Sequence, residues 1–309
     1  MKAFVTGADG FIGSHLCEAL RDAGHDVTGL ALYNSFDSFG WLDEVEGIAK
    51  VRGDVRDAEQ MRALIKGHEI VFHLAALISV PHSYDAPRAF VDTNIAGTLN
   101  VLLAARDAGA KVIHTSTSEV YGTAQYEPQD EKHPINPQSP YAASKVAADA
   151  LVRSFVLSYG MGAVILRPFN TYGPRQSERA VIGSICRQLA DPRCKGVEIG
   201  NPHAVRDFVF IADTVRAYLA AMRLTGGIYN VATGRGTRIK ELPLTGRRVY
   251  LASERMRPVS SEVDWLVGNA SAFAEATQWG PRINVIEGFA RTLDWWRSRP
   301  YRKDMAYVA

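Results

Sequence analysis

The sequence predicts an α/β fold, in which a doubly wound parallel sheet is covered by helices on both faces. Short apolar runs of strand length alternate with helical segments through the first half of the chain. The first run, Ala3–Val5, leads directly into a glycine-rich turn and then a helix. After about residue 172 the alternation loosens and prolines become frequent. We therefore expect a small, less regular C-terminal lobe beside the sheet.

Each strand is predicted from a short apolar run, and each helix from apolar residues spaced three or four apart. Gly24 and Gly109 follow two of the helical segments as C-terminal caps, and Pro140 opens another. The predicted strands are residues 3–5, 27–32, 50–52, 70–74, 111–114 and 163–166. The predicted helices are residues 11–23, 57–66, 87–108 and 140–159. Interleaving of this kind implies parallel strands joined by right-handed crossovers.

Charge and composition exclude several classes of function. The 35 basic and 33 acidic residues give a net charge of +2, which argues against nucleic-acid or membrane-surface partners. No apolar run approaches the roughly 20 residues of a membrane helix. The glycine motif follows Met1 too closely for a signal peptide, so a cytoplasmic location is expected. The three cysteines form no CxxC and the eight histidines no HExxH, so we predict reduced thiols and no metal site.

The glycine-rich turn predicts a dinucleotide site on a Rossmann-type sheet. Gly7 would permit the tight turn, Gly10 would let the backbone approach a pyrophosphate, and Gly13 would let the helix pack against the strand. Phe11 and Ile12 open that helix, whose N-terminal amides would face the phosphates. Residues 1–172 are therefore predicted to form a dinucleotide-binding domain.

Other segments complete the predicted domain division. Two segments near 207–232 are expected to return to the first domain. A substrate-binding lobe is assigned to residues 173–206 and 233–309, with a polar tail at 300–309 that should fray.

The sequence leaves the choice between NAD and NADP open. An acid about twenty residues after the glycine turn often binds the ribose 2′-hydroxyl of NAD, but Ala31 stands there. No basic residue follows it to bind a 2′-phosphate. Tyr33, Asn34 or Ser35 could hydrogen-bond with either group, and Asp54 is placed to meet the adenine end.

A tyrosine and a lysine form the predicted catalytic pair. Tyr141 and Lys145 are four residues apart and so share a helix face. A tyrosine of ordinary pKa, about 10, is a poor base at neutral pH. The Lys145 ammonium and a cationic nicotinamide would both lower that pKa. A polar run at 115–119 ends the preceding strand, at the sheet edge where open α/β proteins bind ligands.

Five segments in this order and spacing carry a family resemblance. They are the glycine turn, His73–Ala76, Ser116–Gly122, Ser139–Lys145 and Arg167–Arg175. They resemble the extended short-chain dehydrogenase/reductase family, whose members act on nucleotide sugars as epimerases, dehydratases and decarboxylases. Segments 31–43, 115–123 and 175–181 are similar to nucleotide-sugar 4,6-dehydratases of legionaminic-acid-type pathways, which act on N-acetylglucosamine nucleotides.

The resemblance implies a set of roles. Thr117 would hydrogen-bond with the sugar O4, and Glu119 would remove the C5 proton, with Ser118 as a possible proton relay. The reaction implied is C4 oxidation, loss of water across C5 and C6, and hydride return to C6, so NAD or NADP should stay tightly bound. The further cofactor contacts implied are Val55, Leu74, Ala75 and Ala76. The substrate contacts implied are Ser79, Ser83, Asn94, Asn170, Arg179, Arg206 and Arg257.

Alternatives remain. A 4-epimerase would leave Glu119 idle, and a UDP-glucuronate decarboxylase would want an arginine for the C6 carboxylate, which the sequence does not identify. A dinucleotide-binding sensor would have no need for Thr117, Glu119, Tyr141 and Lys145 together.

Pro243 should prevent the full helix that the family has after Ile239, so the lobe is expected to be trimmed there. The resemblance also implies a homodimer, formed through the helices near 87–108 and 140–159.

Overall fold

The computed structural model describes residues 1–299 apart from the side chain of Glu254, so the predicted fraying of 300–309 lies outside the described residues. Its strands, in chain order, are β1 (Lys2–Thr6), β2 (Asp26–Leu32), β3 (Ala49–Gly53), β4 (Ile70–His73), β5 (Lys111–Thr115), β6 (Ala163–Pro168), β7 (Asn170–Tyr172), β8 (Gly196–Ile199), β9 (Val205–Phe210), β10 (Gly226–Val231), β11 (Gly236–Arg238), β12 (Arg248–Leu251) and β13 (Trp265–Leu266). Its helices are α1 (Phe11–Asp22), α2 (Ala58–Ile65), α3 (Val80–Asp85), α4 (Pro87–Phe90), α5 (Gly97–Ala108), α6 (Pro140–Tyr159), α7 (Val181–Ala190), α8 (Ile211–Ala221), α9 (Ser271–Thr277) and α10 (Val285–Arg297).

The main sheet confirms the predicted doubly wound fold. Within the described residues its strand order is β10-β6-β5-β4-β1-β2-β3, and every neighbouring pair is parallel. The buried residues of α1 and α8 pack on one face, and those of α2, α5 and α6 pack on the other. Because both faces are covered, the strands are nearly continuous apolar runs, which is why the sequence reveals them so clearly.

The lobe is built around β9 rather than around the main sheet. β9 pairs in parallel with β7 and β13 and antiparallel with β11, while β8 and β12 form a separate parallel pair. β10 leaves this region to join the main sheet beside β6. After Ile239 there is one short 3₁₀ turn, Ile239–Glu241, where a full helix would be expected in the family. This agrees with the helix-breaking effect of Pro243.

One helix differs from its prediction. Residues 87–108 were expected to form a continuous helix, but a π-helical segment, Val91–Ala96, separates α4 from α5. Wider turns of this kind often occur at functional sites. Here the segment carries the buried side chain of Asn94 towards α6. No helix among residues 1–299 is long and apolar enough to cross a membrane.

Candidate active site

The carboxyl ends of β1 and β4 are joined by the side chain of Thr6. Its hydroxyl oxygen accepts hydrogen bonds of 3.1 Å from the backbone amides of Leu74 and Ala75. The Thr6 hydroxyl also pairs with Nδ1 of His73 at 2.9 Å. These contacts fix the loop after β4 beside the glycine turn. Two strand ends predicted to border a cofactor are therefore held side by side.

The glycine turn has the geometry that a diphosphate requires. Gly7 has a φ of +65°, and a Cβ atom there would lie 2.8 Å from the Ala75 nitrogen. A Cβ at Gly13 would lie 2.2 Å from the Gly7 oxygen, so only glycine allows this packing. At Gly10 the nearest atom to an added Cβ is the Gly7 oxygen, at 3.3 Å, and no side chain caps α1. The exposed turn and uncapped amides fit a bound dinucleotide diphosphate.

The predicted contacts at the adenine end have other partners. The amide of Asn34 is occupied within its own loop, donating to the Leu32 and Ser38 carbonyl oxygens and accepting from the Phe36 amide. The Asp54 carboxylate is bound by the guanidinium of Arg56 through paired hydrogen bonds. Neither side chain therefore needs a ligand to satisfy it.

The remaining predicted residues at that end differ in exposure. Tyr33 and Ser35 lie in the same loop as Asn34, with Tyr33 strongly exposed. Val55 is buried against Gly97. Ala76 and Phe11 are half-buried, and so is Ile12.

Tyr141 and Thr117 lie near each other. Thr117 follows β5 and Tyr141 lies in the first turn of α6, and the Thr117 hydroxyl acts to lower the pKa of the Tyr141 phenol. Both are almost fully buried. Burial raises the pKa of Tyr141 to about 12, and the charges of Glu119 and Asp149 add to this increase. The direction differs from the predicted lowering, because within the protein alone desolvation outweighs the hydrogen bond from Thr117 and the charge of Arg257.

Lys145 is a buried ammonium. Burial lowers its pKa to about 8, against the opposing effect of the Asp149 carboxylate. Among residues 1–299, no carbonyl, hydroxyl or carboxylate lies within hydrogen-bond distance of it. A buried donor without a partner is costly, and the hydroxyls of a bound ribose would satisfy it.

Asp149 is a site residue that the sequence reasoning missed. Its carboxylate accepts hydrogen bonds of 2.9 Å from the Ser116 hydroxyl and from Nη2 of Arg167. These bonds tie α6 to the ends of β5 and β6, beside Thr117. The signal was present, because residue 149 continues the spacing of Tyr141 and Lys145 along one helix face.

Glu119 lies in a cluster of four charged side chains. Its carboxylate forms two hydrogen bonds of 3.0 Å with Arg257. Arg206 is buried beside this pair and donates to Glu262 at 3.4 Å. Burial acts to raise the pKa of Glu119, but the charge and hydrogen bonds of Arg257 hold that pKa below its ordinary value. Both arginines predicted to bind a diphosphate therefore have carboxylate partners here.

The predicted sugar contacts on α3 and the π-helical segment serve the protein's own backbone. The amide of Asn94 accepts from the Leu77 backbone at 2.8 Å and donates to the Leu77 carbonyl and the Ser144 hydroxyl. Ser83 is fully buried and donates to the Val80 carbonyl. Ser79 caps α3. Asn94 and Ser83 are thus buried and satisfied by protein groups, Ser79 is half-buried, and contact of the three with a sugar stays a prediction.

The last two predicted contacts differ in position. Asn170 is the first residue of β7, and its amide donates to the Asp207 carbonyl at 3.3 Å. Arg179 is exposed on the loop before α7.

Comparison with known proteins assigns the family. The family model described as GDP-mannose 4,6 dehydratase matches residues 4–292. The chain belongs to the extended short-chain dehydrogenase/reductase family. A UDP-glucose 4-epimerase from Mycolicibacterium smegmatis is 34% identical, over 97% of this chain and 99% of the relative. A dTDP-glucose 4,6-dehydratase from Mycobacterium tuberculosis is 33% identical, over 96% of this chain and 93% of the relative.

A solved structure of this family shares the architecture. The dTDP-glucose 4,6-dehydratase DesIV from Streptomyces venezuelae, determined with NAD bound, superposes with a TM-score of 0.87. Its sequence is 28% identical, and the match covers 96% of this chain and 97% of that one. The three similar proteins named here are a nucleotide-sugar epimerase and two nucleotide-sugar dehydratases. The chain is an enzyme of that epimerase/dehydratase family, and the choice between the two reactions depends on its own site residues.

Proposed function

We propose that this family member is a nucleotide-sugar 4,6-dehydratase that converts a UDP- or GDP-N-acetylglucosamine-like substrate into its 4-keto-6-deoxy product. One observation carries the proposal: a largely buried carboxylate, Glu119, stands two residues from Thr117, whose hydroxyl lies near enough to Tyr141 to act on the pKa of that phenol. An epimerase needs only the hydroxyl and phenol pair to oxidise and reduce C4. A dehydratase also needs a base for the C5 proton. The likeness of segments 31–43 and 175–181 to legionaminic-type dehydratases supports the choice of sugar.

The cofactor of this reaction would be NAD, held by residues 7–13 at its diphosphate and by Lys145 at its nicotinamide ribose. The glycine turn, the unpartnered Lys145 ammonium and the NAD in the DesIV structure support this assignment. When bound, an oxidised nicotinamide supplies reversible hydride acceptance and a positive charge beside Tyr141. Since the net reaction consumes no reductant, the cofactor should stay bound between turnovers.

Proton movement at C4 is assigned to Tyr141. Thr117 orients the C4 hydroxyl, and Tyr141 accepts its proton as C4 is oxidised. The Lys145 ammonium adds positive charge on the same helix face, which favours the phenolate. Asp149 holds the ends of β5 and β6 against α6, so that Thr117 and Tyr141 keep their contact.

The elimination is assigned to Glu119. With C4 as a ketone, the C5–H bond breaks and its proton passes to the carboxylate. The C5–C6 double bond forms as the C6–O bond breaks, and Glu119 returns the proton to the leaving hydroxyl, so that water is released. A hydride returned to C6 and a proton delivered to C5, which balance the hydride taken from C4 and the proton taken from O4, then give the 4-keto-6-deoxy product. Arg257 orients the carboxylate by its two hydrogen bonds. The alternative is that Ser118, which is buried and adjacent to Glu119 in sequence, relays that proton.

A UDP-glucuronate decarboxylase is the second candidate, because in the structure an arginine, Arg257, contacts the proposed base Glu119. Arg257 could hold a C6 carboxylate if it released Glu119. The four charges of Glu119, Arg257, Arg206 and Glu262 already sum to zero. A neutral cluster suits a C6 hydroxymethyl group better than a C6 carboxylate, which would arrive uncompensated.

The deciding experiment incubates the protein and NAD separately with UDP-N-acetylglucosamine, GDP-N-acetylglucosamine and UDP-glucuronate, and follows the products by mass spectrometry. Loss of one water from an N-acetylglucosamine nucleotide is expected. An unchanged mass with inverted C4 would refute the dehydratase in favour of an epimerase. Loss of carbon dioxide from UDP-glucuronate would establish the second candidate instead.

A homodimer through α5 and α6 stays a prediction. The exposed side chains of Leu157 and Tyr159 near the end of α6 are consistent with it. Sedimentation of the purified protein would test it.

A further inference from the structure

The Asp9 side chain reaches from the glycine turn to the end of the neighbouring strand. Asp9 lies between Gly7 and Gly10, and its carboxylate accepts a hydrogen bond of 3.2 Å from the backbone amide of Leu32, the last residue of β2. Its own carbonyl accepts one of 3.0 Å from the Trp41 amide. In the part of the chain that the structure describes, residues 1–299, no side chain donates to the Asp9 carboxylate.

The end of β2 is where a dinucleotide fold places the acid that binds the adenosine ribose. In this chain β2 ends in Ala31 and Leu32, and the Ala31 methyl group is fully buried. A carboxylate bonded to the Leu32 amide therefore lies at the same end of the same strand, although it comes from the loop after β1. Asp9 therefore takes the position of the acid that is missing from the end of β2, although it comes from a different part of the sequence.

The basic residue beside the end of β2 already has a partner within the protein. Arg52 is in register with Ala31 on β3. Its guanidinium donates to Asp37 at 2.6 Å and lies over the Phe39 ring, 4.4 Å from the centroid. A 2′-phosphate arriving at the end of β2 would therefore meet Asp9 and a neutralised arginine.

We propose that Asp9 binds the 2′-hydroxyl of the adenosine ribose and thereby makes this enzyme select NAD over NADP. The hydroxyl donates to the carboxylate oxygen that remains free, while the Leu32 amide holds the other. A 2′-phosphate has no proton to donate at neutral pH, and its negative charge is repelled by the carboxylate. The inference rests on the proposed function only in requiring a nicotinamide dinucleotide at the glycine turn.

The test is equilibrium binding by calorimetry, with protein freed of copurified dinucleotide. NAD⁺, NADP⁺ and 2′-deoxy-NAD⁺ are titrated into the wild type, into Asp9→Asn, and into a control, Asp22→Asn, whose carboxylate lies exposed on α1. The wild type and the control should bind NAD⁺ about tenfold or more tightly than either analogue, as expected for a hydrogen bond to a charged group. In Asp9→Asn the three affinities should fall within about threefold of one another.

The outcomes separate the two hypotheses. Equal wild-type affinities for NAD⁺ and 2′-deoxy-NAD⁺ would overturn the role of Asp9 while leaving dinucleotide binding intact. The role of Asp9 would also be overturned if Asp9→Asn kept the wild-type ratios among the three dinucleotide affinities while Arg52→Met changed them. If the wild type binds no dinucleotide, the proposed function fails and this inference fails with it. The 2′-deoxy comparison needs only wild-type protein, so the test survives even if the Asp9 variant does not fold.

Discussion

Glu119 and Arg257 lie 138 residues apart in the chain, yet each carboxylate oxygen of Glu119 accepts a 3.0 Å hydrogen bond from Arg257. The pair joins the end of β5 to the lobe, so the lobe contributes directly to the ionisation state and orientation of the proposed base.

Replacing the arginine should destabilise the protein in a pH-dependent way. Arg257→Met leaves a largely buried carboxylate without its cation and should cost about 1–3 kcal/mol of unfolding free energy at neutral pH. Arg257 holds the Glu119 pKa below its ordinary value of 4.5, so the stabilisation exists above that value and is lost as pH falls through the lower folded pKa. Urea unfolding should therefore show a difference that shrinks in acid.

The matched control for this measurement is Arg88→Met, which removes a largely exposed partner of Asp92. It should change the unfolding free energy little at any pH. A difference between wild type and Arg257→Met that stays constant from neutral pH into acid would contradict the coupling to Glu119.

Neutralising the proposed base should separate oxidation from elimination. Glu119→Gln should lower the rate of water loss about 10²- to 10⁴-fold, because no carboxylate remains to take the C5 proton. Absorbance of the reduced nicotinamide should still appear on mixing with substrate. Glu59→Gln, on the exposed side of α2, is the control. A variant that eliminates water at the wild-type rate would show that another group removes the proton.

Removing the Tyr141 hydroxyl should abolish turnover while leaving the cofactor in place. Tyr141→Phe should reduce kcat about 10²- to 10⁴-fold, since the C4 hydroxyl loses its proton acceptor. The affinity for NAD, measured by calorimetry, should change little. The control is Tyr159→Phe, at the exposed end of α6. Equal losses of kcat and NAD affinity would indicate a structural role for Tyr141 instead.

The buried ammonium of Lys145 should destabilise the protein freed of dinucleotide below pH 8. Burial lowers its pKa from 10.5 to about 8, so the unfolded chain binds the extra proton between these values and stability rises with pH across that window. Lys145→Met should remove the effect and stabilise the protein at neutral pH by up to about 3 kcal/mol.

Urea unfolding of the wild type and Lys145→Met between about pH 7 and pH 10 measures this effect. The two free energies should converge as pH rises. Parallel curves would show that Lys145 is solvated in the folded protein. NAD affinity should fall in the variant, because the proposed contact with the ribose is gone.

The structural role assigned to Asn94 predicts a loss of stability rather than a change in substrate affinity alone. Asn94→Ala removes a hydrogen-bond partner from the half-buried Leu77 amide and carbonyl and from the buried Ser144 hydroxyl, which should cost about 1–3 kcal/mol. Asn34→Ala, whose bonds lie in an exposed loop, should cost well under that. Unfolding in urea distinguishes them. Unchanged stability of Asn94→Ala, together with a raised KM, would indicate that Asn94 contacts the sugar.

Local patterns were sufficient for the framework of this protein. The buried strands, the glycine turn, and the shared helix face of Tyr141 and Lys145 could be predicted, because each depends on a short run of residues or on helical spacing. The direction of the Tyr141 pKa could not, because it depends on how completely the surrounding protein excludes water.

The sheet, the family and the residue types at the carboxyl ends of the strands follow from the sequence. Which polar groups are already satisfied within the protein depends on contacts between distant parts of the chain. In the folded protein Asn94 and Ser83 hydrogen-bond with backbone groups, and Arg257 hydrogen-bonds with Glu119. Asp9 lies at the end of β2, where Ala31 supplies no acid. The physical reason is that a buried polar group takes whichever partner folding brings within about 3 Å, and distance along the chain does not reveal that partner.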